Sequence, residues 1–336
     1  MRRSKREVYE YRAILKYVIG LILCIGFLLQ AGSVITYAKT YDGFRYQYNE
    51  EYGGIEITKY KGKAQKLVIP DEIEGIPVVA IGKYAFWGNK FIKKAVIPDS
   101  VKYIDEGAFY KCKKLKSVIM PKEILKWGEF TFSDCSSLKS VKLPENITVI
   151  PQDTFADTGL KSFHVPKQVQ KMEDSVFSGC QQLKNVTFDK NAKLEYIGGQ
   201  AFVYCTAMEE IKIPASVVEL GQEVFQDCFS LKKVTFAKNS KLKILGYGVF
   251  NRCKELDDVT IPKNVTQIKG AAFSYCINLK TVTFRGKCPK LEKEAFNKIH
   301  WAATFQVPSK YKKSYEKNMH KFGWYYAIKL GMRDFT

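Results

Sequence analysis

Ten phenylalanines recur along this chain at an almost constant interval. Successive members of the set are 22 to 25 residues apart. A fixed period of this length is typical of an array in which each unit buries its apolar side against its neighbours. The spacing therefore predicts one elongated repeat domain, rather than the two globular domains that 336 residues would otherwise suggest. These marker phenylalanines are Phe86, Phe109, Phe132, Phe155, Phe177, Phe202, Phe225, Phe250, Phe273 and Phe296.

Each unit carries a short strand pattern after its marker phenylalanine. In the unit of Phe109, residues Leu115, Val118 and Met120 follow an L-x-x-L-x-L pattern, so they are predicted to point inward while residues 117 and 119 face outward. Pro121 has no amide donor and is predicted to end the strand. Stacked parallel strands lie about 4.8 Å apart, so ten or eleven coils would make a curved rod about 50 Å long. Two units contain two extra residues, at 189–194 and 237–242, which a loop is predicted to absorb.

Seven of the nine cysteines keep the same period, each three residues after a marker phenylalanine. Cys288 stands eight residues before Phe296, where other units carry an apolar residue, and it is also predicted to face inward. Free cysteine packs as a small hydrophobe, whereas zinc sites need clustered ligand pairs. The period therefore favours a ladder of buried thiols over disulfides between coils or a metal site. The seven periodic residues are Cys112, Cys135, Cys180, Cys205, Cys228, Cys253 and Cys276.

The first 38 residues predict export. Basic residues up to Lys16 precede an apolar run from Tyr17 to Leu29, and the segment 36–38 has a small-x-small form that ends at Ala38. This pattern predicts a secretory signal peptide, 1–38, cleaved after Ala38. The run to Ala38 is also long enough to span a bilayer, so an uncleaved N-terminal membrane anchor is the alternative.

Both ends of the array are predicted to be capped, because an open coil exposes an apolar face and a strand edge. Residues 39–66 are predicted to form an N-terminal β cap, a hairpin around Gly53 and Gly54. The array itself is assigned to 67–308, with its last strand near Phe305. Residues 309–336 are predicted to form a basic and aromatic C-terminal cap with a helix over 310–321. Four apolar residues beyond that helix would pack the cap or form a binding platform: Trp324, Tyr325, Tyr326 and Ile328.

The unit consensus V-x-x-I-x-x-x-A-F-x-x-C-x-x-L-x-x-V-x-I-P resembles the BspA-like class of leucine-rich repeat, over about Ile55 to Pro308. The resemblance implies a leucine-rich-repeat solenoid of about ten repeats of 22 to 25 residues, built from short parallel strands and turns. It also implies a secreted or cell-surface protein that binds a protein or glycan ligand, in adhesion. It transfers no catalytic residue. The chain shows neither an LPxTG sorting signal nor a wall-binding module.

The outward residues of the predicted strands form the candidate ligand-facing surface. Their small polar character permits close approach of a partner, and it is equally what a solvated parallel sheet requires. The candidate residues are Ser117, Ser140, Lys142, Ser162, His164, Asn185, Thr187, Glu210, Lys212, Lys233, Thr235, Asp258, Thr260, Thr281 and Thr283.

Charge suggests a second kind of partner. The chain has a formal net charge of +20, and removing residues 1–38, with six basic and two acidic residues, leaves +16. A basic exported protein is attracted to anionic cell-envelope polymers with salt-dependent strength. The alternative function is therefore a non-catalytic structural protein held to such polymers, and lysines that serve solubility alone are the simpler explanation. Nucleic acid is not expected as a partner, because the chain shows no stacking or groove-reading motif.

Catalysis is not expected from this sequence. An enzyme needs convergent groups with tuned ionisation, and of the three histidines, His164 is predicted to lie several coils from His300 and His320. Buried cysteines supply no activated thiolate. The sequence contains no metalloprotease or phosphate-binding motif. We therefore predict no enzyme and no cofactor, and we assign no catalytic or metal-binding residues.

Overall fold

The computed structural model of the chain describes residues 39–320 and 329–332. These residues belong to the compact unit Lys39–Thr336. The predicted signal peptide or anchor thus lies outside the described residues, as do four predicted cap residues, Trp324, Tyr325, Tyr326 and Ile328.

Short strands occur twice in each coil. From residue 94 onward, odd-numbered strands lie on one side of the coils, the front, and even-numbered strands lie on the back, up to β25. The elements are β1 (Lys39–Tyr41), β2 (Phe44–Asn49), β3 (Gly54–Tyr60), β4 (Lys66–Val68), β5 (Glu72–Ile73), β6 (Ile76–Ile81), β7 (Lys94–Val96), β8 (Tyr103–Ile104), β9 (Ser117–Ile119), β10 (Lys126–Trp127), β11 (Ser140–Lys142), β12 (Val149–Ile150), β13 (Ser162–Val165), β14 (Lys171–Met172), β15 (Asn185–Phe188), β16 (Tyr196–Ile197), β17 (Glu210–Ile213), β18 (Glu219–Leu220), β19 (Lys233–Phe236), β20 (Ile244–Leu245), β21 (Asp258–Ile261), β22 (Gln267–Ile268), β23 (Thr281–Phe284), β24 (Lys290–Leu291), β25 (Thr304–Val307), a 3-10 turn (Ser309–Tyr311), α1 (Lys312–His320) and β26 (Lys329–Met332).

The front strands pair in parallel and in register. They form three ladders: β4–β7–β9–β11, β13–β15 and β17–β19–β21–β23–β25–β26. Ser117 lies opposite both Lys94 and Ser140, so equivalent residues of successive coils form rows. The predicted last strand, β25, is followed by β26, which pairs with it in parallel. The ladder therefore continues beyond the strand that the sequence placed at its end.

The back strands form two ladders, β1–β2–β3–β6–β8–β10 and β12–β14–β16–β18–β20–β22–β24. The division coincides with Pro151. At the equivalent position of neighbouring coils, the backbone N–H of Gly128 donates to Ile104 at 2.8 Å and that of Glu173 donates to Ile150 at 3.0 Å. Proline has no N–H to donate, which explains why the ladder is interrupted here. The sequence analysis predicted one strand in each coil and missed this second series.

A hairpin occupies the N-terminal end of the described unit. β2 and β3 pair antiparallel, and β3 then pairs in parallel with β6, so the hairpin is continuous with the first back ladder. Gly53, in the turn, has a φ of 68°, in the left-handed region that favours glycine. The role of this hairpin as an end cap stays a prediction.

The marker phenylalanines form a continuous stack inside the coils. All ten are buried. Neighbouring rings have centroids 4.7 to 5.8 Å apart and planes within 22° of parallel. Aromatic pairs at such distances add to the free energy gained by burying the rings. The ten stacked rings form an internal spine, and the prediction that each unit buries its apolar side against its neighbours is confirmed.

The thiol ladder is confirmed for the seven periodic cysteines, which are free and buried. Each thiol donates to the carbonyl of the marker phenylalanine one coil back, at Sγ–O distances of 3.0 to 3.2 Å. Thr158, which replaces cysteine in one coil, donates its hydroxyl to Phe155 at 2.9 Å. Cys288 differs from its prediction, because it is only partly buried.

Left-handed residues flank every marker phenylalanine. The residue two before and the residue two after each marker have φ between 52° and 69°. Only four of these twenty positions are glycine: Gly88, Gly107, Gly179 and Gly248. Each other residue bears the cost of a left-handed conformation, about 1–2 kcal/mol. Hydrogen bonds between coils hold this backbone, such as the one from Lys111 N to Ser133 O at 2.9 Å.

The two-residue insertions lie at a corner between a front strand and a back strand. Asn191 and Asn239 take left-handed φ values of 59° and 63° there, as asparagine does readily. The next inward residues, Leu194 and Leu242, are buried. The back strands on either side also keep their register. The prediction that a loop absorbs the insertions is confirmed.

Candidate ligand-binding surface

The front face consists of the outward side chains of the front strands, which are β4 and the odd-numbered strands from β7 to β25. Because side chains alternate along a strand, each coil turns one residue in and its neighbours out, as in β9, where Val118 is buried and Ile119 is exposed. Successive coils place equivalent side chains opposite each other, in two rows that are separated by the buried residue.

Every candidate residue predicted from the sequence lies on this front face and is at least partly exposed. Candidate residues on neighbouring strands are cross-strand partners: Ser162 lies opposite Asn185, and His164 lies opposite Thr187. The remaining candidates continue the same two rows along the front face. Their strands are hydrogen-bonded to one another only within each of the three front ladders. The inward and outward assignment of these strands therefore agrees with the structure, whereas their role in ligand binding stays a prediction.

His164 is held by polar neighbours from the next coil. Its Nδ1 lies 3.0 Å from the hydroxyl of Thr187, and its Nε2 lies 3.2 Å from a carboxylate oxygen of Asp189. The other oxygen of Asp189 accepts a hydrogen bond from the backbone N–H of Lys167 at 2.8 Å. These contacts fix the orientation of an imidazole that is about half exposed. Sequence reasoning identified His164 but not its partner Asp189, which follows the end of its strand.

Three aliphatic side chains lie in one row at the N-terminal end of the front face. Val68 lies opposite Val96, which lies opposite Ile119. Val68 and Ile119 are 55% and 49% exposed. Exposed apolar residues that are scattered singly need no explanation, whereas large contiguous apolar patches mark interaction surfaces. The same row continues into Lys142 of β11, so its apolar part ends after three coils.

Charged residues of both signs alternate further along the front face. Glu210 lies opposite Lys233, which lies opposite Asp258. All three side chains are exposed. Opposite charges on neighbouring strands contribute little to stability in water, but they fix a pattern that a partner must match. The front face is therefore apolar at one end, rich in hydroxyl groups in the middle and of mixed charge beyond.

The buried thiols of the interior are poor nucleophiles and poor metal ligands. Burial raises the pKa of Cys112 and of Cys228 to about 12 and that of Cys180 to about 11. A nucleophilic or metal-binding cysteine needs the thiolate form near neutral pH, and burial in an apolar interior favours the thiol instead. Within residues 39–320 and 329–332, no group of three His, Cys, Asp or Glu side chains could hold a metal ion.

Two grooves lie on the surface of the coils. The first, of about 720 Å³, lies near the C-terminal end and is lined by four lysines from three successive coils, Lys241, Lys243, Lys263 and Lys287, and by Val218 of the preceding coil. The second, of about 700 Å³, lies where the back ladder is interrupted and is lined by Trp127 and several carboxylates. Sequence reasoning missed both, because the residues of each come from different coils.

The family model of the BspA type leucine-rich repeat region, with six copies, matches residues 59–184 and 172–302, which is more than half of the chain. The chain belongs to the BspA-type leucine-rich repeat family. This agrees with the stacked parallel strands, the spine and the consensus of the units. A leucine-rich-repeat solenoid is in general a non-catalytic binding scaffold.

Several solved leucine-rich repeat proteins are similar to this BspA-type chain. A leucine-rich repeat protein of T. pallidum is 26% identical, with 66% of this chain and 91% of that one covered and a TM-score of 0.48. A leucine-rich cell surface protein from Faecalibacterium prausnitzii is 24% identical, with 76% and 89% covered and a TM-score of 0.36. The pneumococcal vaccine antigen PcpA is 14% identical, with 88% and 99% covered and a TM-score of 0.41. A search of curated proteins returned no match.

Among residues 39–320 and 329–332, no helix combines the length and the apolar character that a bilayer span requires.

Proposed function

We propose that this protein is exported and acts at the cell surface or outside the cell as a non-catalytic binding module that recognises a protein partner through its front face, in adhesion. The observation that carries the proposal is the in-register row of Val68, Val96 and Ile119, with two members about half exposed. A row of aliphatic side chains on a solvated sheet suits the apolar centre of a protein interface. Membership of the BspA-type family supports a binding role.

Hydroxyl and amide groups beside this row extend the surface. Ser140, Ser162 and Asn185 are exposed, and short polar side chains let a partner approach the sheet closely. Polar groups around an apolar centre are the usual anatomy of a protein interface. A protein partner is favoured over a glycan because three adjacent aliphatic side chains offer a glycan few hydrogen-bonding groups.

Binding through the front face can be tested with matched variants of the full chain. One variant replaces Val68, Val96 and Ile119 by threonine, which keeps the β-branched shape and adds a hydroxyl. The control replaces Leu125 and Val149 by threonine, because both are exposed aliphatic residues near the back strands, at 69% and 37%. Labelled protein is titrated onto immobilised extracellular-matrix proteins and onto cell-envelope fractions. Titrations at about 0.15 M and about 0.5 M NaCl separate screened attraction from specific contact.

We expect saturable binding to a protein component that persists at the higher salt concentration. The front-face variant should bind at least about tenfold more weakly, which corresponds to about 1.4 kcal/mol, and the control should bind like the original chain. Equal loss in both variants would contradict a front-face interface. Binding that disappears with salt in every fraction would favour retention by charge alone.

Export and the predicted domain boundaries belong to the same proposal. We propose that residues 1–38 form the signal peptide, that 39–66 and 309–336 cap the array, and that 67–308 carry the repeats. Mass spectrometry of the protein recovered from the producing cell and its medium tests the first point, because cleavage after Ala38 defines a new N-terminus at Lys39. A chain that keeps its first 38 residues in the membrane fraction would instead indicate an N-terminal anchor.

A further inference from the structure

We propose a second binding site, separate from the front face: the lysine groove, formed by Lys241, Lys243, Lys263, Lys287 and their neighbours, binds a linear polyanionic glycan that carries sulfate or phosphate esters. The groove has a volume of about 720 Å³, and its four lysines come from three successive coils. Its lining also includes Asn264 and Thr266, which offer polar contacts, and Cys288 at one end.

The charge of the groove is not compensated by the chain itself. All four lysines are exposed, and the groove lining contains no carboxylate. In the described part of the chain, no carboxylate lies within ion-pair distance of any of the four ammonium groups. Lys122, by contrast, pairs with Asp99 at 2.8 Å. A concave surface with charges of one sign concentrates the potential inside it, so an anion can replace the missing counter-charge.

The groove is held in shape before any ligand arrives. The side-chain amide of Asn264 donates to Ser240 O at 2.7 Å, which links two coils at the floor. A side chain on Gly286 would collide with the backbone of Lys263, so these two neighbouring coils touch directly. The hydroxyl of Tyr315, from α1, shares its single hydrogen between the carbonyls of Gly286 and Lys287, each at 3.1 Å. A preorganised site loses less conformational entropy on binding than a mobile cluster of lysines would.

The arrangement favours a linear polymer. Lys243 and Thr266 lie on adjacent coils, with Thr266 N donating to Lys243 O at 2.9 Å, and Lys287 belongs to the following coil. Coils repeat at about 4.8 Å, so a chain that lies along the groove meets positive charge in each coil. Lysine ammonium groups act as point charges without the planar fork of arginine. This suits flexible sulfate or phosphate esters.

The lining also argues against nucleic acid. Proteins that bind single strands combine basic grooves with aromatic side chains on which bases stack. The residues that line this groove include no aromatic side chain. An anionic glycan, whose rings need no stacking platform, is the polymer that these groups fit.

The groove can be tested by removing its charge. In the full chain, the groove variant replaces Lys241, Lys243, Lys263 and Lys287 by glutamine. The matched control replaces four other exposed lysines that make no ion pair with any described residue: Lys113, Lys114, Lys139 and Lys161. Both variants lose the same net charge. Heparin serves as the sulfated probe, poly(glycerol phosphate) as the phosphate probe, and neutral dextran and single-stranded DNA as comparators, each titrated over a series of salt concentrations.

We expect the groove variant to bind one of the two anionic glycan probes at least about tenfold more weakly, and the control to change less than about threefold. In nucleic acids each contact contributes about 0.7 to 0.9 to the slope of log affinity against log salt, so four lysines predict a decrease of about 3 in that slope. The probe that shows the larger difference identifies sulfate or phosphate as the natural group. Equal weakening of both variants would overturn the site, and tighter binding to DNA would overturn the glycan assignment.

Cys288 provides a readout that needs no substitution. It lines the groove and is partly buried, whereas the other seven described cysteines are buried. We expect a saturating glycan probe to slow alkylation of Cys288 at least about fivefold, as followed by mass spectrometry, and dextran to have no effect. Unchanged alkylation under saturation would overturn the groove as the binding site. Binding of a protein partner through Val68, Val96 and Ile119 should be the same in the groove variant, so failure of one proposal leaves the other distinguishable.

Discussion

The interior of the coils and their front face differ in how closely they repeat. Inside, phenylalanine recurs in ten successive coils and cysteine in most of them, and each makes the same contact with the neighbouring coil. On the front face the equivalent positions change from Val68 to His164 to Lys212. Stacking requires each coil to match the next, so the interior is constrained, whereas the solvent imposes no such match. Differences between coils are therefore where recognition can be encoded.

Removing a ring from the spine should have the largest effect. Phe225 is fully buried and stacks on Phe202 and Phe250, each at 5.3 Å. We expect Phe225→Ala to lower the free energy of unfolding by about 3–5 kcal/mol, because a cavity remains between coils. Urea denaturation of the full chain measures this. Lys233→Ala on the front face is the control and should change stability by less than about 0.5 kcal/mol. A reversed order would refute the division into interior and surface.

Alkaline pH should weaken the interior selectively. Burial raises the pKa of Cys228 to about 12, above the value of about 8.5 for a free thiol. Between these values the unfolded chain releases the proton and the folded chain keeps it. Stability is therefore fully present below about pH 8.5 and falls as pH rises, by about 1.4 kcal/mol per pH unit for each such thiol.

Cys228→Ala isolates one thiol of the ladder. The variant is less stable than the original chain at neutral pH because packing is lost. Between pH 8.5 and 9.5, however, its free energy of unfolding should fall by about 1 kcal/mol less than that of the original chain. Urea denaturation at both pH values gives the difference. Identical pH dependence in the two proteins would mean that Cys228 ionises as readily when folded as when unfolded.

A glycine substitution in the left-handed turns beside the marker phenylalanines should raise the stability of the fold. Glu294 is exposed and has a φ of 65°, and the left-handed conformation costs a residue other than glycine about 1–2 kcal/mol. Glycine relieves this but loses about 0.4–1 kcal/mol through the entropy of the unfolded chain. Glu294→Gly should thus stabilise the fold by about 0.5–1 kcal/mol in thermal or urea unfolding. Gly248→Ala, at a φ of 59°, should destabilise it. Opposite signs would show that neighbouring coils impose no left-handed strain.

Hydroxyl groups of the front face should have the smallest effect on stability. Ser140 and Ser162 are exposed, and the double substitution to alanine should change the free energy of unfolding by less than about 0.5 kcal/mol. Under the proposed function it should nonetheless weaken binding of the protein partner, as measured by titration. A large loss of stability would show that these side chains hold the coils together.

The difference between the repeating interior and the variable front face also explains which features could be predicted from the sequence. Phe109, Cys112 and Val118 recur chemically, so their period indicated the stack, the thiols and the inward side of each front strand. The back strands, such as Tyr103–Ile104, contain only two residues, too few for an alternation to be seen. Left-handed turns escaped because residues such as Lys111 occupy positions where glycine would have signalled them.

The candidate site was predictable only in part. The alternation of side chains along a strand is enough to predict that Ser117 and Thr187 face outward. Partners such as Asp189, and the lysines of the groove, depend on which residues of different coils become neighbours. Cys288 shows the limit of period alone, because it keeps the spacing of inward residues yet reaches the surface of the groove. Which side chains of different coils become neighbours depends on how the coils stack, and the spacing of residues along the sequence does not specify this.

The corner that holds the two natural insertions has a practical consequence. Asn191 and Asn239 sit in loops that lengthen the coil while Leu194 and Leu242 stay buried. The equivalent corner after Val165, beside Pro166, lacks the two additional residues and lies outside the lysine groove. An epitope tag or a fluorophore-binding peptide placed there would report the location of the protein in living cells while the stacked rings beneath it remain undisturbed.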